Sequence, residues 1–282
     1  MSAYRFCRTD DIELLVDALN RCWSPYFPGD PPMTPAAFKR SIRDLQVWCS
    51  SCMVAFSDAD PIGVLIGAKR PTGTLIHKIA VHPDHLRQGH GRHLLTSLSS
   101  KLAILGPPRI VAEIPETFTA ACELFIASGY TQEAVLTDYV LNRDVDPSTR
   151  GGFLIPVTVD DLAANGLLGE PDLEVCWERS VETLTARKDE IAGVAVASEE
   201  RIEAHVLYVK RDMDAAIVSL RSIVDGGGSH LIQLLAHLRA QGISTLCLPK
   251  VHPAEISQEL LETLGFRPAG THRLYAGRAR SG

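Results

Sequence analysis

The 282-residue sequence has no apolar run of the roughly 18 residues that a membrane-spanning helix requires, and its first residues lack the basic and apolar segments of a secretion signal. It also lacks a basic excess, because 28 Lys and Arg are outnumbered by 34 Asp and Glu. Proteins that bind nucleic acid through phosphate contacts usually have the opposite balance. We therefore expect a cytoplasmic protein that works neither on nucleic acid nor in a membrane.

Cysteine is too sparse for a disulfide framework, and the total of seven is odd. Cys49 and Cys52 have the C-x-x-C spacing of a metal or redox pair, but no second pair or nearby histidine completes a metal site. The apolar residues around them are typical of a buried strand. This context favours two buried free thiols over a zinc or redox role.

The length and composition predict two globular domains. Hydrophobic residues at 45% and charged residues at 22% are typical of soluble globular proteins, and 282 residues are long for one compact domain. The segment Asp144–Gly152 has the proline, serine and glycine content of a linker. We place the domains at residues 1–146 and 151–282.

The most informative stretch runs from Leu75 to Leu98. It predicts a strand over Leu75–Val81, then a polar loop and an amphipathic helix. Gly89 and Gly91 allow a close approach of the backbone to a ligand, and the first N–H groups of a helix together with its dipole favour an anion. Glycines also serve ordinary turns, but the order of strand, basic loop and helix favours phosphate binding. The loop residues are Arg87, Gln88, Gly89, His90, Gly91 and Arg92.

This stretch resembles motif A of the GNAT superfamily of N-acetyltransferases, in which R/Q-x-x-G-x-G/A holds the pyrophosphate of acetyl-coenzyme A (acetyl-CoA). Gly89 and Gly91 match the two small positions, whereas Leu86 takes the leading R/Q position with Arg87 beside it. The elements predicted over residues 3–145 also follow the GNAT order of β-α-α-β-β-β-α-β-α-β. The resemblance implies a mixed α/β fold and acetyl-CoA as cosubstrate.

The second half of the chain repeats these signals. Gly226-Gly227-Gly228 echoes the first glycine loop at an offset of 137 residues (91 to 228), and Leu264-Gly265-Phe266 echoes Ser128-Gly129-Tyr130 at 136 (129 to 265). We therefore predict two tandem GNAT-like domains. The second loop has no Lys or Arg and carries Asp225, which predicts a degenerate copy with a structural or substrate-framing role, or simply a flexible turn.

The resemblance also implies roles on the strand that precedes the loop. In GNAT proteins its backbone N–H groups bind the pantetheine arm and the thioester carbonyl, and the matching residues are Ile79, Ala80 and Val81. His77 matches a histidine on the proton-removal path of arylalkylamine N-acetyltransferases, and an imidazole suits proton acceptance near neutrality. Strand alternation would place His77, Ile79 and Val81 on one face. A half-buried structural histidine is an equal alternative, and Glu113 and Glu116 are other candidate bases.

Many GNAT enzymes use a tyrosine to protonate the departing thiolate, and here that position is Phe125. Phe125 is expected to line the coenzyme site, and Tyr130 or Tyr139 could supply the proton instead. A thiol with a pKa of about 8.5 is also a fair leaving group without an acid.

Trp23, Tyr26 and Phe27 lie in a proline-rich segment at the position of the GNAT acceptor loop, and they are expected either to line the acceptor pocket or to cover the sheet edge.

The leading hypothesis is an N-acetyltransferase that transfers an acetyl group from acetyl-CoA to a primary amine of a small molecule or peptide, as a monomer or homodimer. The alternatives are a non-catalytic acyl-CoA-binding protein, which Phe125 and Leu86 favour, and a protein interaction scaffold.

Overall fold

The computed structural model describes residues 2–143, 152–169, 175–224 and 228–280, which form two compact units. Unit 1 comprises Met1–Glu133 and Arg273–Gly282, and unit 2 comprises Ala134–His272. These bounds differ from the contiguous segments 1–146 and 151–282. The first half of the sequence contributes its residues from Ala134 onwards to unit 2, and the second half contributes its residues from Arg273 onwards to unit 1. The predicted linker, apart from Gly152, lies outside the described residues.

Unit 1 follows the predicted GNAT order of elements, which confirms the fold class. In chain order these elements are β1 (Ser2–Phe6), α1 (Ile12–Cys22), α2 (Pro35–Leu45), β2 (Met53–Ser57), β3 (Asp60–Arg70), β4 (Gly73–Val81), α3 (His90–Leu105), β5 (Arg109–Pro115), α4 (Thr119–Ala127) and the start of β6 (Thr131–Leu141). Strands β1 to β4 are antiparallel neighbours, and β4 and β5 are parallel.

Local sequence explains where the first helices begin. Helix α2 starts after Thr34, whose hydroxyl accepts a hydrogen bond from the Ala37 N–H at 3.2 Å, and Pro35 occupies its first turn. Asp11 precedes α1 but does not cap it, because its carboxylate instead accepts bonds from the Arg5 guanidinium and the Arg8 N–H.

The apolar residues around Cys49 and Cys52, which are typical of a buried strand, do not form one continuous strand. Val47 makes only an isolated bridge with Ala68, and Cys49–Ser51 forms a short 3-10 helix before β2 starts. A Cβ on Gly67 would lie 2.6 Å from the carbonyl oxygen of Ser51, so the chain crosses closely over β3 at this glycine. Cys49 and Cys52 are buried free thiols, and burial raises the pKa of each.

Helix α3 supplies the centre of the unit 1 core. Its leucines pack against β2, β3, β4 and β5, and Tyr275 from the chain's last segment joins the same cluster. Among the core leucines are Leu94, Leu95, Leu98 and Leu102.

Unit 2 repeats the element order of unit 1. The elements are β7 (Phe153–Pro156), α5 (Val159–Ala164), α6 (Val181–Ala186), β8 (Ala192–Ala197), β9 (Ile202–Arg211), β10 (Asp214–Ser222), α7 (Gly228–Ala240), β11 (Thr245–Val251), α8 (Gln258–Thr263) and β12 (Arg267–Arg278), whose residues from Arg273 belong to unit 1. The strand order within the unit is β6-β11-β10-β9-β8-β7. The predicted second loop, Asp225–Gly227, lies outside the described residues.

Among the residues that the structure describes, no helix is both long and apolar enough to cross a membrane.

Candidate active site

The candidate site of unit 1 is a cleft between two strands that start side by side and then separate. Thr74 pairs with Ile110 and Leu75 pairs with Val111, and no further pairing of β4 with β5 occurs within residues 2–143. Both strands nevertheless continue, to Val81 and Pro115. Beyond these pairs the facing edges of the two strands are therefore not joined to each other by backbone pairing.

A β-bulge lies at the point where β4 leaves its partner. Ile66 of β3 pairs with Lys78 and the next residue, Gly67, pairs with Ile76, so His77 is an extra residue on β4. The bulge interrupts the regular alternation on which the predicted faces depend, and His77, Lys78 and Ile79 are all half-buried. All three residues line the cleft.

The cleft encloses a cavity of about 500 Å³, within the usual range for small-molecule sites. It brings together most of the predicted site residues from segments far apart in sequence. These are His77, Ile79, Ala80 and Val81 of β4, Glu113 of β5, Phe125 of α4, Gly91 of the glycine loop, and Trp23, Tyr26 and Phe27. Tyr130 is not among its lining residues.

One wall of the cavity is aromatic. The rings of Trp23 and Phe27 stack at 4.6 Å, and Phe27 contacts Phe118 at 5.3 Å. The Lys78 ammonium lies 4.0 Å from the centre of the Trp23 ring, and the Tyr26 hydroxyl donates a 2.6 Å hydrogen bond to the Val81 carbonyl. The proline-rich segment is therefore attached to β4 rather than to an outer sheet edge. Sequence reasoning missed Phe118, although an aromatic residue just before α4 was a usable signal.

The glycine loop has the backbone conformation that its sequence predicts. Gly89 has φ +87° and directly precedes α3, and Arg87 also has a positive φ of +61°. A Cβ on Gly91 would lie 2.9 Å from Cδ2 of Leu124, so this glycine lets the start of α3 pack closely on α4. Arg87, Gln88 and Arg92 are exposed, and Arg87 lies 3.9 Å from the Glu123 carboxylate.

His90, one of the predicted loop residues, has a buried side chain. It is 5% exposed, and its Nδ1 shares a 2.6 Å hydrogen bond with the Tyr4 hydroxyl. Burial, followed by the nearby His85 and His93, lowers the pKa of His90. The side chain therefore anchors the first turn of α3 to β1.

The structure separates Tyr130 from the other candidate catalytic residues. Its ring packs edge-to-face on Phe125 at a centroid distance of 5.0 Å, and the residue is 7% exposed. Burial raises the pKa of Tyr130 to about 12. Tyr139 belongs to unit 2. Behind Phe125 lies Tyr275, which no local sequence signal could have assigned to this site.

Unit 2 contains the same strand separation. Among the residues that the structure describes in this unit, strand β10 pairs with β11 only from Asp214 to Ala216, and β10 has a bulge at Val218 where its pairing with β9 shifts. Here, however, the segment Trp177–Arg179 is tied to β11 and the turn after it. The Arg179 side chain, 1% exposed, forms an ion pair with Glu255 and donates to the Pro249 carbonyl at 3.1 Å.

Unit 1 thus combines a parallel strand pair that separates beside a bulge, a glycine loop at the next helix and an apolar cavity. Residues 12–130 match the family model described as "Acetyltransferase (GNAT) family". The matched residues include the motif on which the predicted resemblance to the GNAT superfamily rests.

Solved structures show the same fold over the whole chain at low identity. A GCN5-related N-acetyltransferase from Sphaerobacter thermophilus has a TM-score of 0.68 and 12% identity, covering 100% of this chain and 96% of its own. A tandem GNAT protein from the clavulanic acid biosynthesis pathway has a TM-score of 0.66 and 16% identity, covering 99% of both chains. A conserved Enterococcus faecalis V583 protein described as a probable N-acyltransferase has a TM-score of 0.69 and 12% identity, covering 100% of this chain and 73% of its own. No curated protein matches the chain.

Proposed function

We propose that the protein is an N-acetyltransferase that binds acetyl-CoA in unit 1 and transfers the acetyl group to a primary amine. The observation that supports this most strongly is the roughly 500 Å³ cavity between the separated strands, which Gly91 of the glycine loop also lines. A coenzyme can therefore reach from an anion-binding loop into an apolar cleft without crossing another element. The match of residues 12–130 to the GNAT family model supports the same assignment.

The coenzyme would lie along β4. Backbone N–H groups at the start of α3 would bind the pyrophosphate, with Arg87 and Arg92 adding positive charge. The edge of β4 from Ile79 to Val81 would pair with the amide groups of the pantetheine arm, because β5 does not occupy that edge. The thioester carbonyl would then lie beside the bulge at His77.

The reaction requires a free amine. A base removes a proton from the acceptor ammonium, the amine nitrogen attacks the thioester carbon, and collapse of the tetrahedral intermediate breaks the carbon–sulfur bond. His77 and Glu113 both line the cavity and are the candidate bases. The sulfur can leave as a thiolate because the pKa of a thiol is about 8.5, so the phenylalanine at position 125 does not prevent turnover.

The aromatic wall would bind the acceptor. Trp23, Phe27 and Phe118 present ring faces and edges beside the bulge, and Tyr26 fixes their segment to the end of β4. Such a wall suits the apolar part of an amine.

Unit 2 has a different role in this proposal. Its separated strands are bridged by Trp177–Arg179 and the buried Arg179–Glu255 pair, which would have to open before a thioester could enter. We assign it a structural or substrate-framing role, with one acetyl-CoA bound per chain.

A second candidate function is acyl-CoA binding without catalysis, which Phe125 favours because it replaces a proton donor by a hydrocarbon. Thiol detection with a disulfide reagent, across a panel of amines with acetyl-CoA, distinguishes the two. An enzyme releases CoA only when its amine is present, and His77→Ala and Glu113→Gln show which base is needed. Tight acetyl-CoA binding without amine-dependent release would favour the non-catalytic function, and absence of binding would contradict both.

A further inference from the structure

The cleft of unit 1 closes at the end where its two strands come together. Leu75 and Val111 are the last paired residues, and the cavity begins immediately beyond them. Ile76 and Ala112, the next residues of the two strands, line this end, and Phe125 of α4 is a third buried lining residue; they are 4%, 1% and 0% exposed. The following residues of β4 are half-buried, so the cleft deepens towards an apolar apex.

Phe125 cannot move back from this apex without displacing other rings. Its ring lies edge-to-face against Tyr130 at 5.0 Å and nearly parallel to Tyr275 at 5.9 Å. Both tyrosines are buried, at 7% and 0% exposure. Because protein interiors are close-packed, the three rings form a firm floor.

The space between the bulge and this floor is short. His77 is two residues beyond Leu75, which corresponds to at most about 6.6 Å along a strand, because the bulge at His77 shortens the rise. A thioester carbonyl at the bulge leaves room for the methyl group of an acetyl chain. A hexanoyl chain has four more methylene groups, which would have to displace Phe125 or bend back into the acceptor space.

We propose that the Ile76–Ala112–Phe125 apex restricts the donor to short acyl groups, acetyl or propionyl, and that Phe125 is the residue that sets this limit. The inference rests on the proposed function, because it requires the coenzyme to lie in this cleft. It adds a specificity-determining residue and the class of acyl donor.

The test is calorimetric titration of the full chain with CoA, acetyl-CoA and hexanoyl-CoA, which needs no knowledge of the acceptor. We expect the wild type to bind hexanoyl-CoA at least roughly tenfold more weakly than acetyl-CoA, since overpacking a core is unfavourable. Phe125→Ala should bring the two affinities within about threefold of each other, because it removes the floor.

Phe38→Ala is the matched control. Phe38 is a phenylalanine of unit 1 at 1% exposure on α2, and it does not line the cavity. Its replacement should lower stability in a similar way while leaving the ratio of the two affinities unchanged. If Phe125→Ala does not fold, Phe125→Leu carries the same prediction with a smaller change, and the wild-type ratio tests the limit directly.

Equal affinity of the wild type for acetyl-CoA and hexanoyl-CoA would overturn the acyl-length inference and leave the proposed function standing. An unchanged ratio in a folded Phe125→Ala or Phe125→Leu protein would overturn the role of Phe125. Failure of the wild type to bind CoA or either thioester would overturn the proposed function, and the inference with it.

Discussion

The anion-binding role of the glycine loop can be tested with a pair of glycines that share one backbone conformation. Gly89 and Gly129 have φ values of +87° and +85°, and neither has any atom within 4 Å of an added Cβ. Aspartate tolerates such φ values better than most residues. Gly89→Asp and Gly129→Asp therefore impose the same backbone strain, but only the first places a carboxylate in the loop.

The expected loss follows from Coulomb's law. At about 6 Å, two unit charges repel by about 0.7 kcal/mol at the dielectric constant of water and about 2.8 kcal/mol at an effective value of 20. Gly89 is exposed, so the lower figure is the better guide. With two phosphoryl charges we expect about 1.5 kcal/mol, or roughly tenfold weaker acetyl-CoA binding at low salt.

The assay is calorimetric titration of both variants at low and at near-physiological salt. Gly129→Asp should bind like the wild type, and the defect of Gly89→Asp should shrink as salt rises, because the Debye length falls to about 8 Å at 0.15 M. Equal affinities for the two variants would refute the reasoning that places the pyrophosphate at this loop.

Three further predictions concern stability and are measured by urea unfolding. Thr34→Ala should lower the free energy of unfolding by about 1 kcal/mol, because α2 loses its cap, whereas Thr34→Ser should keep most of the wild-type stability. An unchanged free energy of unfolding in Thr34→Ala would show that the cap is dispensable. Arg179→Met should lower the free energy of unfolding by about 3–5 kcal/mol, because the Glu255 carboxylate then stays buried without its partner. Replacing both residues by apolar ones should recover part of that loss, and no recovery would contradict the explanation. Burial acts to raise the pKa of Asp138, but hydrogen bonds from His272 and the Lys250 N–H, with their charges, outweigh it and lower the pKa. The ionised Asp138 therefore stabilises the fold above the unfolded pKa of about 3.9, and this stabilisation is lost as pH falls towards the folded pKa. The free energy of unfolding of the wild type should fall more steeply below pH 4 than that of Asp138→Asn. Parallel plots of unfolding free energy against pH for the two proteins would contradict this.

Local sequence patterns predicted much of the first unit. The order of its elements follows from hydrophobic periodicity, and α2 begins where Thr34 and Pro35 form a strong start signal. The glycine loop was also predictable, since Gly89 needs a positive φ and Gly91 a close helix contact. These features depend on residues a few positions apart.

Features that depend on distant residues could not be predicted in the same way. Tyr275 packs against Phe125 in unit 1, but nothing near either residue indicates that the last strand belongs there. The bulge at His77 is a property of the register with β3, so alternation along β4 alone could not predict it. Tyr130 was a reasonable candidate acid by position, but its ring turns into the core.

The two units are copies of one fold that differ in the segment after the first helix of each unit. Both copies have a parallel strand pair that separates and a bulge on the earlier strand. In unit 1 the segment after α1 forms an aromatic wall beside an open cavity, whereas in unit 2 Arg179 of the corresponding segment reaches Pro249 and Glu255. The same backbone therefore carries a cavity in one copy and a buried ion pair in the other.

The most direct test of the account is a crystal structure of the full chain with acetyl-CoA. We expect one coenzyme per chain, with its pyrophosphate at Gly89–Gly91, its pantetheine arm along Ile79–Val81 and its acetyl group directed at Phe125. Coenzyme bound between β10 and β11 of unit 2, or bound outside the β4–β5 cleft, would contradict it.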